Sequence, residues 1–149
     1  GKGVVVVFDP APAAKLPEDA FQYMDVITPN EVETEALVGF YPKTQADAAR
    51  AAKVLREKGV GTAVIKMGAL GVFFDGPNGS GFVPAFKVNA IDTVAAGDAF
   101  NAGLAVALAE GKPMPEAVRW GAAAGAIATT RKGALPAMPY RKELLTLIG

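Results

Sequence analysis

The sequence predicts an α/β fold: a mainly parallel sheet flanked by helices, with a β-hairpin inserted late in the chain. Three observations support this class. Strand-like and helix-like segments alternate through the first half, and a valine run near the start shows little polar alternation. Near the middle, turn-forming residues separate two apolar runs, after which long alanine-rich helical patterns follow.

The first elements are two short strands with a short helix between them. Residues 4–9 (VVVVFD) form a β-branched run, which is typical of a strand covered on both faces, as in parallel sheets. After three prolines, residues 18–24 are predicted to form a short helix. Residues 25–28 (DVIT) form the second strand, which Pro29 ends.

Two helices follow, each with a recognisable start. Asn30 is a good N-cap with Glu33 at the N3 position, and Gly39 ends this helix. Thr44 caps the next helix, which is predicted over residues 45–58 and is closed by a glycine.

The second half begins with a strand and a hairpin and continues as helices. Residues 62–68 form the strand, and residues 77–79 (PNG) form the turn of the hairpin. Helices are predicted over residues 97–110, 115–130 and 140–148, with a loop before the last one.

Composition excludes several function classes. The chain has 149 residues, the size of one domain, and its 51% hydrophobic residues allow a real core. Equal numbers of basic and acidic residues, 15 each, argue against a general nucleic-acid surface. The absence of cysteine and histidine excludes disulfides, thiolate metal sites and the usual general base, and fits a cytoplasmic protein. No apolar run reaches the ~18 residues of a membrane span.

Residues 92–100 (DTVAAGDAF) place a carboxylate, Asp98, directly behind Ala95, Ala96 and Gly97 at the start of a helical pattern. One interpretation is structural, because a negative charge near a helix N-terminus stabilises it by ~0.3–1 kcal/mol. The other is catalytic: the helix N–H groups bind an anion, and Asp98 accepts a proton from an attacking hydroxyl as the new bond forms. Phosphoryl transfer needs little more from a protein than this positioning and charge stabilisation.

Two other segments also allow both a structural and a ligand-binding interpretation. Residues 66–71 (KMGALG) place two glycines after a strand, in a turn that lines a nucleotide or is an ordinary tight turn. Asn30 and Glu33 form a capping arrangement, and Glu33 can also hold a metal-bound water near phosphates. Neither the Walker pattern nor a G-x-G-x-x-G after a strand is present.

Five segments occur in an order that resembles the ribokinase-like (PfkB) sugar kinase family, and the likeness spans nearly the whole chain. They are VVFDPAPA, ITPNEVETEALVG, VIKMGALGVFF, DTVAAGDAFNAGLAVALAEG and AIATTRKGALPAMPYRKEL. The stretch DTVAAGDAF is similar to the C-terminal signature of the family, and DPAPA and TRKGALPAMP favour the members that phosphorylate ribose.

The resemblance implies a role for each matching position. Asp98 matches the catalytic base, and the backbone of Ala95, Ala96 and Gly97 matches the anion hole. Asn30 and Glu33 match the pair at the phosphate and Mg²⁺ end. The nucleotide-binding positions are Lys66, Gly68, Ala69, Leu70, Gly71 and, near the adenine, Ala122. An activating K⁺ is expected on loops that include Asp92, Val94, Ala128, Arg131, Gly133 and Ala137, largely through carbonyl oxygens.

The implied activity is ATP-dependent phosphorylation of a sugar hydroxyl, most directly D-ribose to ribose 5-phosphate, with Mg²⁺ and K⁺ and without nucleic-acid or membrane partners. The alternatives are another sugar or nucleoside kinase of the family (a fructokinase or a ketodeoxygluconate kinase), a nucleotide-binding module without catalysis, and a purely structural α/β domain. Family members are about twice this length. Residues 1–149 are therefore expected to be the C-terminal, nucleotide-binding and catalytic portion, incomplete for activity alone, and the resemblance allows a homodimer in the parent.

Overall fold

A computed structural model describes residues 5–10, 16–91, 96–130 and 140–149, which belong to two compact units, Gly1–Phe82 and Val83–Gly149. The elements follow the predicted order. They are β1 (Val7–Phe8), a 3₁₀ helix (Glu18–Tyr23), β2 (Val26–Ile27), α1 (Glu31–Val38), α2 (Gln45–Glu57), β3 (Thr62–Lys66), a 3₁₀ turn (Gly68–Leu70), β4 (Gly71–Gly76), β5 (Gly79–Pro84), α3 (Ala96–Ala109), α4 (Met114–Thr129) and α5 (Tyr140–Ile148).

The five strands form one mixed sheet in the order β1-β2-β3-β4-β5. Strands β1, β2 and β3 are parallel, with Val26 opposite both Val7 and Thr62, whereas β4 runs antiparallel to β3. A two-residue turn, Pro77 and Asn78, joins β4 to β5, its neighbour in the sheet. The predicted α/β class and the late hairpin are therefore confirmed.

Strand β3 ends two residues earlier than predicted, at Lys66 rather than 68. The backbone turns there, because the Met67 amide donates to the Gly71 carbonyl at 2.8 Å and the Leu70 amide donates to the Met67 carbonyl at 3.1 Å. These bonds close the 3₁₀ turn that leads into β4, and such local bonds compete directly with a strand ladder.

The core of the first unit forms where α2 packs on the sheet. Helix α2 begins at a capping box, in which the Thr44 hydroxyl accepts from the Asp47 amide at 3.1 Å and Asp47 accepts from the Thr44 amide at 3.2 Å. Its apolar residues recur at the i, i+3, i+4, i+7 spacing of one helix face. That face and the strands it covers contribute fully buried side chains: Ala48, Ala51, Ala52, Leu55, Ile27, Ala63 and Ile65.

The second unit contains α3, α4 and α5. Helices α3 and α4 pack closely and antiparallel, and Trp120 of α4 is 4% exposed. Arg141 of α5 lies over the Trp120 ring and donates to both Glu110 carboxylate oxygens, at 2.6 and 3.0 Å. This hydrogen-bonded pairing lowers the pKa of Glu110 and raises the pKa of Arg141. It joins the end of α3 to the start of α5.

Among the described residues, none of the helices has the length and apolar character that crossing a lipid bilayer requires.

Candidate active site

The first group of predicted site residues lies at the start of α1. The Asn30 side chain accepts from the Glu33 amide at 2.8 Å, and Glu33 Oε1 accepts from the Asn30 amide at 2.8 Å. The structure thus contains the capping box that the sequence predicts, and Gly39 ends the helix with a left-handed φ of 93°. Glu33 is 7% exposed, so its carboxylate is held in one orientation rather than sampling solvent.

The predicted nucleotide turn lies beside this helix start. The Lys66 amide donates to the carbonyl of Pro29, the residue before Asn30, at 2.9 Å. A Cβ placed on Gly68 would lie 3.6 Å from a carboxylate oxygen of Glu31. The structure therefore brings Asn30, Glu33 and the 66–71 turn together at the carboxyl ends of β2 and β3, the edge where open α/β sheets bind ligands.

Backbone geometry explains the glycines of this turn. Gly68 has a φ of 53° and Gly71 a φ of 125°, values at which a side chain is strained. Between them Ala69 and Leu70 are exposed, with Leu70 54% accessible. Ligand sites are lined mainly by apolar side chains with a few polar groups, and Leu70 is an apolar side chain that this turn leaves uncovered.

The chemistry available to a metal ion here is limited. The described residues contain no group of three acidic side chains that could by itself hold a metal. Mg²⁺ in phosphoryl-transfer sites is bound by one or two carboxylates together with the substrate phosphates, so a single oriented carboxylate such as Glu33 is compatible with that ion. The described residues do not provide a metal site built from protein ligands alone.

The second group of predicted residues lies at the start of α3. The helix begins at Ala96, one residue before the predicted position, so Ala96, Gly97 and Asp98 form its first turn. The amides of a first turn have no acceptor within the helix, and they carry the positive end of the helix dipole. Asp98 is exposed, and Ala96 and Gly97 are half-buried, so this turn is not covered by the core of the unit.

Helix α4 packs against this first turn. A Cβ placed on Gly125 would lie 3.2 Å from the Ala96 carbonyl oxygen, and one on Gly121 would lie 3.0 Å from the Phe100 carbonyl oxygen. Asp98 follows Ala96 by two residues, which is about 200° around a helix, so its side chain lies on the face opposite this contact. The packing that holds the turn therefore leaves the carboxylate uncovered by α4.

Of the remaining predicted residues, Ala122 and Ala128 are described and the others are not. Ala122 is half-buried on α4, and Ala128 is 2% exposed near its end, where its carbonyl accepts from the Thr130 amide. Six predicted site positions lie outside the described residues: Asp92, Val94, Ala95, Arg131, Gly133 and Ala137.

The described residues that adjoin the two predicted K⁺-binding loops nevertheless lie together. The Ile91 amide donates to the Thr129 carbonyl at 2.6 Å. Ile91 directly precedes positions 92–95, and Thr129 lies two residues before position 131. The described residues next to the two predicted loops, Ile91 and Thr129, are therefore neighbours in the second unit.

Sequence reasoning did not single out Gly121 and Gly125 of α4 or Glu31 of α1. A signal for the glycines was present, since GAAAG places them four residues apart on one helix face, the spacing that lets two helix backbones approach closely. Glu31 carried no distinguishing signal, because an acidic residue in a first helical turn is common.

A family model for pfkB family carbohydrate kinases matches residues 1–141. A ribokinase from Haemophilus influenzae is 45% identical over 146 residues, which cover 98% of this chain and 48% of that protein. A ribokinase from Arabidopsis thaliana is 35% identical and is matched over 39% of its length. The chain therefore spans about half or less of the length of these relatives.

Solved structures agree with this match. The crystal structure of a Thermotoga maritima ribokinase superposes with a TM-score of 0.84 at 46% identity, covering 97% of this chain and 48% of that one. The Arabidopsis thaliana ribokinase complexed with ribose and ATP superposes with a TM-score of 0.87 at 32% identity, covering 98% and 48%.

Proposed function

The chain belongs to the pfkB family of carbohydrate kinases, and on that premise we propose that the protein transfers the γ-phosphoryl group of ATP to D-ribose, giving ribose 5-phosphate. Support for the sugar comes from the relatives, which are ribokinases at 45% and 35% identity. Support for the nucleotide comes from the Arabidopsis thaliana structure, which is a complex with ribose and ATP.

The observation that carries the proposal is the exposed Asp98 in the first turn of α3. In the proposed step the primary hydroxyl oxygen of the sugar forms a bond to the γ-phosphorus, and the bond to the β,γ-bridging oxygen breaks, releasing ADP. Asp98 orients the hydroxyl and accepts its proton as the bond forms. The backbone amides of Ala95, Ala96 and Gly97 donate to the transferring phosphoryl oxygens, where negative charge must be stabilised.

The start of α1 and the neighbouring turn form the nucleotide end of this proposal. Asn30 and Glu33 would lie at the phosphates, and Glu33 would hold Mg²⁺, whose charge offsets that of the phosphate oxygens. The positions from Lys66 to Gly71, with Ala122, would line the nucleotide. Positions 92–94 and 131–137, together with Ala128 near the end of α4, would supply carbonyl oxygens to K⁺. The bond between Ile91 and Thr129 supports this role, because these two residues adjoin the segments that would bind the ion.

The test replaces Asp98 with asparagine in the longest reading frame of the gene that contains this chain. We expect ATP-dependent phosphorylation of ribose to fall by about 10²–10⁴-fold, since the acceptor for the proton is lost. The affinity for ATP should stay within about twofold. Glu116→Gln is the matched control, because Glu116 is also an acidic residue in the first turn of a helix, α4. Unchanged turnover in Asp98→Asn would remove the base assignment.

A second candidate is nucleotide binding without catalysis by this chain alone. It is favoured by one observation: the chain spans about half or less of the matched kinases while containing the predicted nucleotide positions. Calorimetry of the chain with ATP and Mg²⁺ tests it, and the absence of heat under folded conditions would exclude an intact nucleotide site. A panel of ribose, fructose and ketodeoxygluconate, assayed with the longest reading frame, separates the proposed substrate from those of other family members.

A further inference from the structure

We propose that Gly125 of α4 is a positioning residue for the first turn of α3, which holds the anion-binding amides and the base. The inference rests on the proposed kinase function, because it concerns the geometry of that same turn. Gly125 lies on the opposite side of α3 from Asp98 and has no side chain, so it acts only through Ala96.

The contact between α4 and α3 at Gly125 leaves little room for a side chain. A Cβ at position 125 would lie 3.2 Å from the Ala96 carbonyl oxygen and 3.7 Å from the Phe100 Cβ. The first distance, from carbon to oxygen, is tighter than most contacts that Cβ atoms make in proteins. With alanine at position 125, the first turn of α3 must therefore move away by a few tenths of an ångström.

A second contact bonds Ile91, on the other side of positions 92–95, to the same helix α4. Thr129 lies four residues after Gly125, one turn further along α4, and its carbonyl accepts from the Ile91 amide at 2.6 Å. Helix α4 thus contacts both described residues that flank positions 92–95, namely Ile91 and Ala96. If Ala96 moves while Ile91 stays bonded to α4, the distance between Ile91 and Ala96 changes. The two residues then cannot shift together by the same amount.

Stability and activity should respond differently to this change. Alanine is a better helix former than glycine, and this offsets part of the cost of the tighter contact. The proposed amides, in contrast, stabilise a transition state only within a narrow range of distance, and small misplacements reduce rates strongly. A stable enzyme with a slower chemical step is therefore the expected phenotype.

The same helix pair supplies a matched control in Gly103. A Cβ there would lie 2.8 Å from both the Ala124 Cβ and the Trp120 carbonyl oxygen, a more severe overlap than at Gly125. Gly103 is seven residues, or about 10 Å, from Ala96 along α3. Gly103→Ala should consequently cost more stability but less activity than Gly125→Ala. If both glycines only pack helices, Gly103→Ala should instead cost more of both.

The experiment compares both variants in the longest reading frame and in the 149-residue chain. For Gly125→Ala we expect kcat to fall about tenfold, with KM for ATP within about twofold and Tm within ~2 °C of the wild type. Binding of ADP with aluminium fluoride and ribose, a mimic of the transferring phosphoryl group, should weaken by the same factor as kcat. In the 149-residue chain, the amide resonances of residues 96–98 should shift more in Gly125→Ala than in Gly103→Ala.

Either of two results would overturn the inference: wild-type kcat in Gly125→Ala, or equal losses of kcat in the two variants. If the wild-type protein phosphorylates no sugar, the proposed function fails. The positioning of the turn is then decided by the amide resonances alone, and unshifted resonances in Gly125→Ala reject it.

Discussion

The capping box of α1 allows the structural and the ligand-binding roles of Asn30 to be separated. Replacing Asn30 with alanine removes the acceptor of the Glu33 amide, a partly buried bond of 2.8 Å. Loss of an N-cap costs about 0.5–2 kcal/mol, and we expect the upper part of that range because a partly buried amide is left without its partner. The bond from the Asn30 amide to Glu33 uses the backbone and survives the substitution.

The capping box of α2 is the matched control. Thr44→Ala removes the acceptor of the Asp47 amide, but that bond is longer, 3.1 Å, and exposed. Water can replace the lost hydroxyl there, so we expect a cost of about 0.5–1 kcal/mol. Urea denaturation of the two variants should therefore rank Asn30→Ala as clearly less stable than Thr44→Ala.

Asn30→Asp then isolates the proposed role at the phosphates. Aspartate caps a helix as well as asparagine does, so stability should stay within about 0.5 kcal/mol of the wild type. A carboxylate near the phosphates should repel ATP and weaken its binding by about tenfold, measured by calorimetry with Mg²⁺. If Asn30→Ala unfolds at the urea concentration of the wild type, the capping argument is wrong. If Asn30→Asp binds ATP as tightly as the wild type, Asn30 does not lie at the phosphates.

Two further predictions concern the two units separately. Leu55 is fully buried in the core of the first unit, so Leu55→Ala should lower the free energy of unfolding by about 2–5 kcal/mol. Val32 is 58% exposed, so the control Val32→Ala should change that free energy by less than about 0.5 kcal/mol. Similar losses in the two variants would contradict the assigned core. The hydrogen bond from Arg141 lowers the pKa of Glu110 in the folded state, so the pair stabilises above the ordinary glutamate pKa of ~4.3 and is lost as pH falls through the lowered value. The difference in Tm between wild type and Glu110→Gln should therefore shrink as pH is lowered from 7 to 3, and a constant difference would show that the pair contributes nothing.

Features that depend on residues three or four positions apart could be predicted from the sequence alone. The capping box of α1, the Thr44 cap of α2, the glycine that ends α1 and the alternation of strands with helices follow from short-range rules, and the structure contains them at the predicted places. The acidic residue at the start of α3 was also visible, because its signal is local. The ordered set of segments further indicated the family, which the matches confirm.

Which of these local features lie together depends on the packing of distant segments and could not be predicted. The bond from Lys66 to Pro29 joins residues 37 positions apart and brings the nucleotide turn to the start of α1. The approach of Gly125 to Ala96 and the bond between Ile91 and Thr129 likewise depend on how α4 packs on the chain around α3. A local pattern reflects helix propensity and capping. A difference of a few tenths of an ångström in the separation of two helices, in contrast, is set by the packing of many side chains at once.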